Sequence, residues 1–138
     1  MSVVAQAFAA LAALIHVVVF VAESFLIRRR AIHRGMFRIR GEDVPAVLLW
    51  SFGQGFYNLF LAAGTVAGLV AVNTGHETVG LTLVVYTCGF MALSGVVLAV
   101  GDALALGRPR NSAWPGVVAQ LVPALVVLAI VLTETGPG

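Results

Sequence analysis

Four long apolar runs, separated by loops that hold every arginine of the chain, leave few folds open to this sequence. The runs cover about Val3–Ile27, Val44–Val72, Val79–Leu106 and Ala113–Leu132. A helix needs about 20 apolar residues to cross the hydrocarbon core of a bilayer, and each run meets that length. None alternates apolar and polar residues with period two, as a membrane barrel strand must. The sequence therefore predicts an all-α fold, an integral membrane four-helix bundle forming one domain over residues 1–138.

Charge sets the expected orientation. Arg28, Arg29, Arg30, Arg34, Arg38 and Arg40 fill the first loop, and Arg108 and Arg110 the third; there is no lysine. Basic loops resist translocation, so loops 28–43 and 107–112 are predicted to be cytoplasmic. Both termini, the turn Asn73–Glu77 and the tail Thr133–Gly138 then lie on the extracytoplasmic side of an inner (plasma) membrane. The first run is too long for the apolar part of a signal peptide and has no basic residue before it, so it is read as an uncleaved span. Pro45 suits the first turn of the second helix. Trp114 reads as an interfacial anchor of the fourth.

Composition excludes other classes. Only 10% of residues are charged and 60% are hydrophobic, against about 25% charged in soluble domains. The net charge of +2 comes from the arginine loops. Arginines beside a span point to anionic lipid head groups, so membrane lipid is an expected partner and nucleic acid is not. The single cysteine, Cys88, lies within a span and has no partner for an intrachain disulfide. Gly64–Gly68 is a GxxxG pair, read as close packing within the bundle rather than a dimer face. A homo-oligomer stays open.

Polar side chains inside the spans carry the functional reading, because ionisable groups are expensive in lipid. His16 and Glu23 are seven residues apart and share one helix face. Gln54 and Asn58 are one turn apart on the second span. At about 1.5 Å per residue, His16, Gln54 and Asn58 are predicted roughly 16, 15 and 21 Å from the arginine-side ends. On the same scale Glu23 and Asp102 lie roughly 6 Å inside and Gln120 roughly 10 Å. If these faces converge, they line a polar pocket open toward the arginine loops. His16 and Glu23 are its acid/base candidates. Gln54, Asn58, Tyr57, Trp50, Asp102 and Gln120 are its candidate substrate contacts. Each has a plainer reading: His16 bridging helices, Glu23 pairing with Arg28 or Arg29, Asp102 pairing with loop arginines. His33 and His76 are expected to be solvated.

The stretch Gly53-Gln54-Gly55-Phe56-Tyr57-Asn58-Leu59-Phe60-Leu61-Ala62-Ala63-Gly64 resembles the second-span signature of the DUF1304 family of small four-span bacterial membrane proteins. His16 with Glu23, and Gln120-Leu121-Val122-Pro123-Ala124, resemble two further family features. Gly53 stands where the family carries an asparagine. The resemblance implies the fold and no activity.

Two function classes follow. One is a small membrane enzyme performing isomerisation, cyclisation or epoxide opening on an apolar small molecule by acid/base chemistry. Its likeness to sterol-isomerase-type enzymes is one of layout alone. The other is a protein that binds or transports a lipid or similar ligand without chemistry. No inverted repeat or broken helix pair points to a transporter. No cofactor is implied, and metal is not expected, since His16 has no second histidine or cysteine at ligand spacing.

Overall fold

The computed structural model describes residues 1–107 and 109–135. Arg108 and the tail residues 136–138 lie outside it. Four α-helices form the fold: α1 (Val3–Ser24), α2 (Val44–Asn73), α3 (Glu77–Ala103) and α4 (Trp114–Thr135). No strand occurs among the described residues. Each helix is long and apolar enough to cross a membrane. Only 28–33% of each apolar window is buried within the bundle, so most of its side chains face outward, including Leu14, Leu49, Phe60 and Leu93. That surface matches hydrocarbon, where apolar side chains need no cover.

The helices run up and down in sequence order and each packs on its chain neighbours, with α4 returning to α1. The ends confirm the arrangement. The Met1 amine lies 3.5 Å from the Glu77 carboxylate and 3.8 Å from that of Glu134. So the N-terminus, the α2–α3 turn and the end of α4 share one end of the bundle, and both arginine loops occupy the other.

Small residues set the helix spacing. A Cβ on Gly68 would meet the Gly80 carbonyl at 3.0 Å, and one on Gly64 the Thr87 methyl at 3.0 Å. The GxxxG pair thus packs against α3, as the packing reading expects. Thr65 Oγ1 donates to Thr87 Oγ1 across that seam at 2.9 Å. The core centres on Ala9, Ala12, Val84, Cys88, Met91, Ala124 and Val127.

Helix ends differ from the sequence reading by a few residues. α1 stops at Ser24 rather than Ile27, because the chain turns back before the arginine triplet. α4 runs on through Thr133, Glu134 and Thr135, so the expected tail from Thr133 is helical there. The first loop holds a π-helical segment, Ala31–Met36, whose Ile32 and Met36 face α1 across a groove, and a 3₁₀ turn, Gly41–Asp43, that leads into α2. His33 is buried within it, against the expectation of a solvated residue. Its Nδ1 donates to the Ile39 carbonyl at 3.0 Å, and the Ile39 amide donates to the His33 carbonyl.

Candidate functional site

The polar residues that meet do so where α1 ends against α2. The last carbonyls of a helix have no partner within it. Here α2 supplies one: Ser51 Oγ donates to the Glu23 carbonyl at 2.7 Å. In return Ser24 Oγ donates to the Phe52 carbonyl at 3.3 Å. Gly55 makes the approach feasible, since a Cβ there would overlap Ser24 Oγ and sit 3.1 Å from the Phe20 carbonyl. Phe20 and Phe56 close the seam edge to face, with ring centroids 5.1 Å apart.

This crossing brings Glu23 to Asn58. The Asn58 amide donates to Glu23 Oε2 at 2.9 Å and to the Gln54 carbonyl of its own helix at 3.1 Å. Asn58 is buried and Glu23 half-buried. Among the described residues Glu23 makes no ion pair, so Arg28 and Arg29 are not its partners here.

Beside Glu23 lies an open cleft of about 280 Å³. Trp50, Ser51 and Gln54 form its α2 wall, and Ile27, Phe37, Ile39 and Val47 its apolar remainder. The loop wall depends on two local features. The His33–Ile39 clamp fixes one edge. Arg38 adopts a left-handed φ of 58°, which turns the chain between Phe37 and Ile39. Sequence reasoning missed Phe37, Ile39, Ile27, Val47 and Ser51 as parts of this cleft. The available signal was apolar Phe37-x-Ile39 within an otherwise basic loop.

The remaining candidates lie elsewhere. His16 is 1% exposed in the bundle interior and does not line the cleft. Its Nδ1 donates to the Ala12 carbonyl at 2.9 Å. Nε2 is buried without a partner among the described residues. Tyr57 is 65% exposed and points away from the bundle. Asp102 is buried at the α3–α4 corner, where Oδ1 accepts the Ala113 amide at 3.3 Å. Arg110 donates to the Ala103 carbonyl at 2.8 Å instead of pairing with Asp102. The possible partner Arg108 is outside the described residues. Gln120, on α4, is half-buried and absent from the cleft wall.

The two-layer depth scheme fails for Asn58. It puts Asn58 well below Glu23, yet the two side chains touch. The reason is the length of α2: 30 residues span about 45 Å, against a hydrocarbon core of about 30 Å. Its first turns project beyond the end of α1, so depth counted from Val44 is too great. Glu23 and Gln54 share one level, Asn58 reaches Glu23 from about one turn farther in, and His16 lies about two turns beyond Glu23.

Residues 10–132 match the family described as "Protein of unknown function (DUF1304)". No curated protein and no solved structure matches the chain.

Proposed function

The chain belongs to the DUF1304 family, which is uncharacterised, and we propose on physical grounds that it is a membrane protein binding an apolar small molecule in the Glu23 cleft. The observation that carries this reading is the carboxylate itself. Glu23 is half-buried at the end of a membrane-length helix, held by an amide rather than a cation, with one side open to an apolar cleft. Intramembrane carboxylates without a counter-ion are costly and mark functional positions. The cleft is mostly apolar with a few convergent polar groups, the usual make-up of a small-molecule site. Its expected ligand carries a hydrogen-bonding head that meets Glu23 and Gln54 and an apolar body against Trp50, Phe37 and Ile39. By the positive-inside rule the cleft opens to the cytoplasmic side.

Acid/base chemistry is the second reading, and Glu23 alone favours it. A general acid or base must reach the reacting proton. Glu23 borders the cleft, whereas His16 is enclosed two turns away. The reaction proposed is thus one-carboxyl proton transfer, as in an isomerisation, with Asn58 positioning Glu23. The test is mass spectrometry of the organic extract of purified protein, comparing wild type with Gln54→Leu and Glu23→Gln. Retention of a discrete molecule by wild type and its loss from both variants supports binding. Equal recovery from all three refutes it. Conversion of that molecule by wild type but not Glu23→Gln supports the second reading.

A further inference from the structure

A second surface, independent of the Glu23 cleft, lies on the outer side of α1. The π-helical segment Ala31–Met36 folds back there and leaves a groove of about 260 Å³. Val17, Val18, Val21 and Leu26 form its floor, with Ile32 and Met36 as the facing wall. Almost none of its lining is polar. Its α1 residues, Val17 to Ala22, follow the helix for about 7.5 Å, and Leu26 extends the floor past the helix end.

Positive charge gathers at one end of the groove. Arg28, Arg29 and Arg30 begin two residues after Leu26, and Arg34 sits between Ile32 and Met36 on the wall segment; all four are exposed. None of them makes an ion pair among the described residues. The acids of this loop are already engaged: Arg40 holds Glu42 at 2.8 Å and Asp43 at 2.9 Å. Mutual stabilisation with these carboxylates pushes the Arg40 guanidinium pKa up. Four exposed arginines without an ion pair among the described residues thus neighbour, along the chain, the residues that line this apolar slot.

We propose that this groove binds an anionic diacyl phospholipid, with one acyl chain along α1 and the phosphate among Arg28, Arg29, Arg30 and Arg34. A neutral lipid satisfies the slot and leaves the arginines without a counter-charge. A soluble phosphate satisfies the arginines and leaves the slot empty. The anionic lipid answers both features. Guanidinium is well suited to the phosphate, since its planar fork gives paired hydrogen bonds.

The test uses full-length protein reconstituted from vesicles of equal parts phosphatidylglycerol and phosphatidylcholine, with bound lipid counted by native mass spectrometry. Wild type is expected to retain phosphatidylglycerol over phosphatidylcholine. Replacing Arg28, Arg29 and Arg30 by Gln removes three charges worth roughly fivefold each, so the preference is expected to fall by about a hundredfold. Val21→Trp fills the slot at a partly outward-facing position and is expected to release the lipid with the arginines intact. Glycerol phosphate in excess does not displace it. Equal retention of the two lipids by wild type overturns the proposal. So does full phosphatidylglycerol retention by a folded Val21→Trp protein, which would leave only diffuse electrostatic attraction. Displacement by glycerol phosphate would identify a head-group site without a chain groove and equally overturn it. Gln54→Leu leaves this lipid in place, which separates it from the cleft ligand.

Discussion

Replacing Gly55 by alanine tests the α1–α2 crossing on which the cleft rests. The added methyl would overlap Ser24 Oγ and lie 3.1 Å from the Phe20 carbonyl and 3.2 Å from the Ser24 amide nitrogen. The Ser24 hydroxyl can rotate away, at the loss of its bond to Phe52. The two backbone atoms cannot, so the helices must part by a few tenths of an ångström. Overpacking of this kind costs about 1–3 kcal/mol, and an interhelical hydrogen bond in a membrane about 0.6 kcal/mol. The expected loss is thus about 1.6–3.6 kcal/mol. Gly53 supplies the control two residues away. Nothing lies within 4 Å of a Cβ there, so Gly53→Ala should be neutral or stabilising by up to about 1 kcal/mol from helix propensity. Thermal unfolding in detergent, followed by helical circular dichroism, measures both. Adding Ser24→Ala to Gly55→Ala should recover only part of the loss, since the backbone contacts remain. Equal stability of the Gly55→Ala and Gly53→Ala proteins would refute the close crossing.

Three other outcomes are expected. Ala105 has a left-handed φ of 56° just beyond α3, while Leu106 N–H bonds back to the Gly101 carbonyl; Ala105→Gly should raise stability by about 1 kcal/mol in the same melt. Thr65→Val removes the bond to Thr87 and should cost about 0.6 kcal/mol, at most about 1.7 kcal/mol, with a matching coupling in a double-mutant cycle with Thr87→Val. His16→Leu removes a buried nitrogen that has no partner among the described residues, so stability should hold or rise and cleft-ligand recovery should not change. Loss of that ligand in a folded His16→Leu protein would restore His16 to the site.

The four helices are legible because apolar length is a local property of the sequence, and Pro45 marks the start of α2. Trp50, Glu23, Gln54 and Asn58 are legible as polar or amphipathic groups in or beside the spans. Which of them meet is not. Helical periodicity gives His16 and Glu23 a common face, but depth on that face depends on how far α2 slides along α1. Gly55 and the Ser24 and Ser51 hydroxyls set that slide, and their pairing across 28 residues leaves no periodic trace. Asp102 is drawn to the α3–α4 corner by the Ala113 amide, a partner fixed by the loop path. Phe37 and Ile39 enter the cleft only because a loop histidine clamps the backbone.

Photo-crosslinking from within the cleft tests the central claim most directly. A diazirine amino acid in place of Trp50, 79% exposed on the cleft wall, should capture one discrete small molecule in native membranes. Adding Glu23→Gln should abolish that adduct. The same probe in place of Trp114, at the start of α4, should capture bulk lipid alone. Bulk lipid at both positions, or a position-50 adduct indifferent to Glu23, would contradict the account.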